Sequence, residues 1–287
     1  MKKIFHPTLL KNKVAIITGG GSGIGYNCAE HFLSLGSNVI IASRNEEKLI
    51  QSVNKLKEHN DNNNTNNKIS YVKLDIRDEN NIEYAIQDVM KQYGKIDILI
   101  NNGGGQFPSP AVKIKNNGWN SVIQTNLNGT FMMSKEVIKE SMSKNKHGII
   151  INIAAVVTNG FPGMSHTGAA RAGVINLTKS LAIENAHLGI RINSISPGII
   201  WSNSAAENYQ DPTFLSSHAS NIPFKRLGTV DEVSSLITFL SSEASSYISG
   251  QNFTIDGGLE IHSNFWDVPN HSTQKPFLGD TGPSSNW

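Results

Sequence analysis

Ile16–Gly25 reads IITGGGSGIG, and the reading of the whole chain turns on this stretch. A β-branched run stops at Thr18, and in the seven residues after it only Ser22 and Ile24 are not glycine. Gly19, Gly23 and Gly25 take the spacing G-x-x-x-G-x-G. Glycine permits a tight turn and puts no Cβ between the backbone and a ligand. The spacing predicts a strand, a turn and a helix opening at about Gly23. A helix start offers free N–H groups and the positive end of a dipole. Gly19, Gly21, Ser22, Gly23, Ile24 and Gly25 are therefore candidates to cradle a dinucleotide pyrophosphate. The other reading is a plain strand-to-helix turn. The motif's place, on a first strand and inside a βαβ unit, favours the dinucleotide.

Outward from the motif, short apolar runs alternate with helix-length amphipathic segments. The runs are KVAIIT, NVIIAS, KISYVKLD, IDILIN, GIIINI, IRINSIS and QNFTID. Strands alternating with helices predict an α/β fold, a single Rossmann-like, doubly wound parallel sheet with helices on both faces. Nearly continuous apolar strands fit a sheet buried on both sides. One domain over 1–287 is expected, with a core of about 11–258 and a surface tail of about 264–287. That tail, rich in Pro, Gly, Ser and Asn, is expected to wrap the surface or a neighbouring subunit. His59–Asn67, HNDNNNTNN, reads as a solvated loop insertion, because Asn and Asp favour turns.

The net charge of +2 gives no electrostatic footprint for nucleic acid. Cys28 is the one cysteine, so no disulfide framework is possible, which fits a reducing compartment. No apolar run reaches the roughly 18 residues of a membrane span. No metal site is expected. The N-terminal MKKIFHPTLLKNK has a broken apolar stretch and reads as an ordered arm, not a signal peptide. The C-terminal GPSSNW matches neither the endoplasmic-reticulum retention address nor the Ser-Lys-Leu peroxisomal one.

The ends of the later strands carry further candidates. A dinucleotide enzyme that takes NAD often has an acid after the second strand; here Ser43 and Arg44 stand there. Arg binds a 2′-phosphate by charge-assisted bonds, so the expected cofactor is NADPH. Arg44 as a solvated helix-start residue is the other reading. Asp75 and Ile76 close the third strand and are candidates for the adenine. Asn101–Gly105 closes the fourth, and Asn102, Gly103 and Gly104 are candidates for close approach to the cofactor, or turn residues only.

TGGGSGIG, Asp75-Ile76, NNGG, TNLNGTF around Asn126, SPGII at Ser196–Ile200 and IDGG near the end occur in one order. Together they resemble the short-chain dehydrogenase/reductase family over roughly Lys11–Gly258. The resemblance implies a site of Ser, Tyr, a Lys four residues later, and an Asn on an earlier helix. It also implies that Pro197, Gly198, Ile200 and Ser202 approach the cofactor. Asn126 matches the family Asn. The other three positions fall on Ala154, Thr167 and Arg171. An aliphatic hydroxyl is too basic to replace a phenol as an acid, so ketone reduction by the usual route is not expected.

NNGGGQF, GFPGMSHTGAARAGVINLTKSLA, SPGIIWSNSAAENY and RLGTVDEVSSLITFL resemble one branch, the peroxisomal trans-2-enoyl-CoA reductases. That branch lacks the Tyr and Lys. The resemblance implies an acyl-CoA substrate and NADPH-dependent saturation of its C2=C3 bond, as in fatty-acid chain elongation. It implies a homo-oligomer, tetramer or dimer, through helices at about Gly118–Lys144 and Ser165–Ala186. It implies a peroxisome, with no C-terminal address to match; cytoplasm is the alternative. Conjugate addition needs placement and donors aimed at the thioester oxygen. Arg171 is the candidate to take over the Lys role. His166 and Thr167 are candidate donors or members of a proton path, since imidazole is the natural acid near neutral pH. A packed or cap-region His is the other reading, and Ser165 is a candidate N-cap. Phe161, Pro162, Met164, Trp201, Tyr209 and Phe214 are candidates to line an acyl pocket, or loop packing. A dienoyl-CoA or ketone reductase, or a retired NADP-binding protein, are the alternatives.

Overall fold

Strand alternation divides the core of the computed structural model, which describes residues 4–62, 67–202, 217–263 and 266–279. Strands β1 (Val14–Thr18), β2 (Asn38–Ser43), β3 (Ile69–Lys73), β4 (Ile98–Asn101), β5 (Gly148–Ile153) and β6 (Ile190–Pro197) come from the first six predicted runs. Ile200–Trp201 (β7) and Gly228–Thr229 (β8) form a separate parallel pair, and the last run is β9 (Asn252–Ile255). The large sheet has the order β3-β2-β1-β4-β5-β6-β9, parallel throughout.

The helices are α1 (Gly23–Ser34), α2 (Glu46–Asn62), α3 (Glu79–Tyr93), a long helix 116–145 (α4), α5 (Ser165–Glu184) and α6 (Val230–Leu240). Ala15, Ile17, Val39, Ile41, Ile98 and Ile100 point to one face, against α1, α2 and α6. Val14, Ile16, Ile40, Ala42 and Leu99 point to the other, against α3, α4 and α5. Successive residues of one strand thus serve opposite cores, as a period of two requires. Burying each such Ile contributes about 1.5–3 kcal/mol, which is why β-branched runs hold the sheet. Strand order reverses between β1 and β4, which opens the crevice where α/β sheets bind ligands.

Two π turns, Gln124–Asn128 and Ile138–Met142, interrupt α4. A π turn adds a residue to the helical repeat and re-aims the side chains beyond it. Asn126 sits in the first and is fully buried.

A buried polar chain crosses the second core. Asn101 Nδ2 donates to Ser134 Oγ on α4 and to Asn152 Oδ1 on β5, both at 2.9 Å. Asn152 Nδ2 donates to Thr178 Oγ1 on α5 at 2.9 Å. The two hydroxyls donate to Thr130 O and Val174 O within their own helices. All four side chains have their partners, so the chain carries little desolvation penalty and fixes the two helices against the sheet.

One expectation is revised and two are made specific. α2 runs to Asn62, four residues into the stretch read as loop, because helix propagation outweighs the weak turn preference of Asn and Asp. The N-terminal arm is tied down, with Leu10 buried and its N–H on Leu35 O at 2.9 Å. Tail residues 266–279 lie on the chain itself. Arg226 Nε donates to Gln274 O, Thr229 Oγ1 to Phe277 O, and His271 Nε2 meets Pro223 O, at 2.8, 2.7 and 2.9 Å. Among the described residues no helix is long and apolar enough to cross a membrane, and no cluster of three His, Cys, Asp or Glu could hold a metal.

Asn152→Leu breaks the polar chain at its centre and leaves Asn101 Nδ2 and Thr178 Oγ1 each one hydrogen bond short in the core. It is expected to cost about 2–3 kcal/mol, lowering the thermal midpoint by roughly 5–10 °C for a chain of this size. Calorimetry that shows an unchanged midpoint would remove the chain from the stability argument.

Candidate active site

The site is built at the C-terminal ends of β1, β4 and β5. Gly19 and Gly23 have φ of 67° and 54°, the left-handed region that glycine enters without strain. A Cβ on Gly25 would lie 2.5 Å from Gly19 O, so the helix packs directly on the turn. A Cβ on Gly21 would meet nothing nearer than Lys48 Cγ at 3.6 Å. The turn is thus tight on its protein side and open on its outer side, which fits a pyrophosphate against bare backbone. The helix starts at Gly23, as the spacing predicts, with Ser22 as an N-cap whose side chain makes no cap bond.

Thr18 joins this turn to β4. Its hydroxyl lies 3.3 Å from Ile100 O and accepts from the N–H groups of Asn102 and Gly103 at 3.0 and 2.8 Å. Asn102 Nδ2 returns a bond to Thr18 O at 3.1 Å. Ile76 fills the space beside two small residues; a Cβ on Gly103 would lie 3.1 Å from its Cδ1, and one on Gly129 2.9 Å from its Cγ1.

Arg171 lies deeper. Its Nη1 donates to Ile153 O at 2.6 Å, one residue before Ala154. A Cβ on Gly104 would collide with Arg171 Nη2 and lie 2.8 Å from Asn126 Oδ1. Asn126 holds the same loop, its Oδ1 accepting from Gly105 N and its Nδ2 donating to Gly105 O, both at 2.9 Å. Arg171 is 9% exposed and has no ion pair among the described residues. Burial pushes it down to about 10, still far above neutrality, so the cation persists. A buried charge with one hydrogen bond is a cost to the fold and a ready partner for developing negative charge.

His166 and Thr167 are both fully buried. His166 Nδ1 accepts from Thr167 N at 2.8 Å, and Thr167 Oγ1 lies 3.3 Å from the same nitrogen. With Nδ1 accepting, the neutral ring carries its proton on Nε2. Nε2 is buried and has no hydrogen-bond partner. Phe107 packs edge-on against the ring at 4.5 Å between centroids. The N-cap of α5 is Met164, and Ser165, the expected cap, is the first helical residue instead.

Ser43, Arg44, Asp75 and Ile76 stand together at the ends of β2 and β3. Arg77 holds the Asp75 carboxylate by bonds of 2.5–3.1 Å. That hydrogen bonding keeps Asp75 below its usual carboxylate range and competes with an adenine contact. Pro197 ends β6 and Gly198 follows it, and a Cβ on Gly198 would lie 2.7 Å from Asp256 Cβ. Ile200 pairs with Gly228, and Ser202 follows half-buried. Phe161 lies over Gly168, whose Cβ would come within 2.9 Å of it. Trp201 packs with Ile222 and Leu227, while Tyr209 and Phe214 fall outside the described residues. Sequence reasoning missed Thr18, Asn152 and Phe107. Only the polar Thr at a strand end hinted at the first, and no local signal marks the others.

The family model described as enoyl-(acyl carrier protein) reductase matches residues 19–260. A peroxisomal 2,4-dienoyl-CoA reductase of Danio rerio, (3E)-enoyl-CoA-producing, is 38% identical, with 91% of this chain and 85% of that protein covered. A 3-oxoacyl-acyl-carrier-protein reductase of Buchnera aphidicola is also 38% identical, with 86% and 97% covered. The solved short chain dehydrogenase of Bacillus anthracis superposes with a TM-score of 0.78 at 38% identity, with 88% and 98% covered.

Arg171→Met removes a desolvated charge and keeps its volume, so the variant is expected to unfold at the wild-type midpoint or up to about 2 kcal/mol above it. A loss of more than about 1 kcal/mol in urea denaturation would make the guanidinium structural, through its bond to Ile153 O.

Proposed function

The chain belongs to the short-chain dehydrogenase/reductase family of oxidoreductases, and from that premise we propose that it reduces trans-2-enoyl-CoA to saturated acyl-CoA with NADPH. The observation that carries this reading is the buried Arg171 without a counterion among the described residues, beside an apolar Ala154 and a Thr167 engaged by His166. Such a site has no phenol to protonate a carbonyl, and a fixed cation instead. NADPH is supported by Arg44, and the cradle Gly19–Gly25 with Thr18 and Asn102 would hold it.

When bound, the nicotinamide supplies the hydride that C3 accepts. The chain's part is to stabilise the charge that then develops on the thioester oxygen. Arg171 does this with a charge already stripped of water, so no solvent reorganises as the charge forms. Gly104 keeps the guanidinium in place, because any larger residue would push it aside. The Nε2–H of His166 is a hydrogen-bond donor for the thioester oxygen as the enolate forms, Thr167 fixes its tautomer by occupying Nδ1, and the proton that C2 takes comes from solvent. Asn126 positions the loop 103–105.

A second reading, reduction of a 2,4-dienoyl-CoA, is favoured by the name of the Danio rerio relative. Its chemistry is the same addition extended by one double bond, and the same cation serves it. Either substrate places the reaction in acyl-chain metabolism. The compartment we propose, the peroxisome, rests on the same resemblance.

NADPH consumption with a medium-chain trans-2-enoyl-CoA is the direct test, run beside a 2,4-dienoyl-CoA, a 3-oxoacyl thioester and NADH. Faster turnover of the dienoyl substrate favours the second reading; tight NADPH binding without turnover of any substrate ends both. Arg171→Ala is expected to lower kcat/KM by about 10²–10³-fold, and Gly104→Ala to follow it with the fold intact. His166→Phe, which removes the donor, is expected to lower kcat by about 10²–10³-fold. An unchanged kcat would remove His166 from the oxyanion contact.

A further inference from the structure

Four cations gather where β2 and β3 end: Arg44, Lys48, Lys73 and Arg77. Two are neutralised within the chain. Lys73 pairs with Glu46 at 3.4 Å, and Arg77 pairs with Asp75 at 2.5 Å. Arg44 and Lys48 are exposed and form no ion pair among the described residues. The local surface therefore keeps two charges unspent, the number that matches a phosphate dianion.

Helix α2 delivers the second of these to the glycine turn. Ser52 Oγ donates to Gly21 O at 3.1 Å, which docks the helix on the turn. Lys48 lies four residues earlier, hence on the same face. Its Cγ is the nearest atom to the open side of Gly21, 3.6 Å from where a Cβ would stand. The stem thus runs along the turn and leaves the ammonium in solvent at its rim, as lysine stems do on apolar surface. Any bound nucleotide that lays its phosphates along Gly19–Gly25 and its adenosine toward the ends of β2 and β3 passes between Lys48 and Arg44.

We propose that Lys48 is a second cation, with Arg44, for the 2′-phosphate of the cofactor, and that it sets the preference for NADPH over NADH. This rests on the NADPH reading above. Lys48 is a binding and specificity residue with no part in the chemical step. Arg supplies a fork and Lys a point charge, so the two act on one phosphate without competing for the same geometry.

Calorimetric titration of the whole protein with NADP⁺ and NAD⁺, without substrate, tests it. Wild-type protein is expected to favour NADP⁺. Lys48→Ala is expected to weaken NADP⁺ about tenfold, as for the loss of one charge-assisted bond, and to leave NAD⁺ within about twofold. Lys48→Arg restores the ratio, and Lys73→Ala, at a lysine already paired, leaves it unchanged. If wild-type protein shows no preference for NADP⁺, the NADPH reading fails and takes this inference with it. If the preference is there and survives Lys48→Ala, only the role of Lys48 is overturned. Equal weakening of both nucleotides would overturn it too, since it would mean damage to α2 and not loss of a phosphate contact.

Discussion

The amide pair Asn101–Asn152, at the C-terminal ends of β4 and β5, is the contact on which the rest of the site depends. Each amide passes its bond outward to a helix hydroxyl, so α4, the sheet and α5 are held in one register. Apolar packing alone permits a helix to slide and rotate by small amounts, since it has no direction. A fully satisfied buried polar chain does not. Asn126 on α4, with His166 and Arg171 on α5, takes its position from this register. The π turn of α4 refines it, turning Asn126 inward to Gly105.

Within that frame the chain accepts a local cost. A desolvated guanidinium with one hydrogen bond and an imidazole N–H with none are features a fold optimised for stability would avoid. Both lie on the first two turns of α5; Arg171 meets the end of β5 at Ile153 O, and His166 packs against Phe107. Stability lost at such points is tolerated where charge is to be met later by a ligand or a transition state. The rest of the core offsets it, with two apolar layers that bury both faces of seven strands.

The nucleotide end of the crevice is governed by charge accounting rather than by burial. Asp75 and Glu46 each take up a neighbouring cation, and the surface left over is positive beside the glycine turn. These pairs are exposed and add little to stability. Their effect is on which charges remain for a ligand. The family resemblance drawn from the motifs and the match over residues 19–260 agree, while the names of the relatives divide between dienoyl-thioester and 3-oxoacyl reduction. The departure at Ala154, Thr167 and Arg171 is what the proposed enoyl-thioester reading rests on.

Strand periodicity and glycine spacing are local properties, so the sequence by itself determined the seven strands, their parallel order of alternation with helices, and the turn at Gly19–Gly25. Steric limits on a few consecutive residues decide those features wherever the rest of the chain lies. Composition was a poorer guide where it contradicted propagation, as in α2, which continues through His59–Asn62. The tertiary structure alone decided that Thr18 meets Asn102, 84 residues away, and that Asn101 meets Asn152. It alone decided that Arg171 is stripped of water, that His166 Nε2 lacks a partner, and that Lys48 lies along Gly21. Burial and hydrogen bonding depend on which distant segments close over a residue, and no local window contains that information.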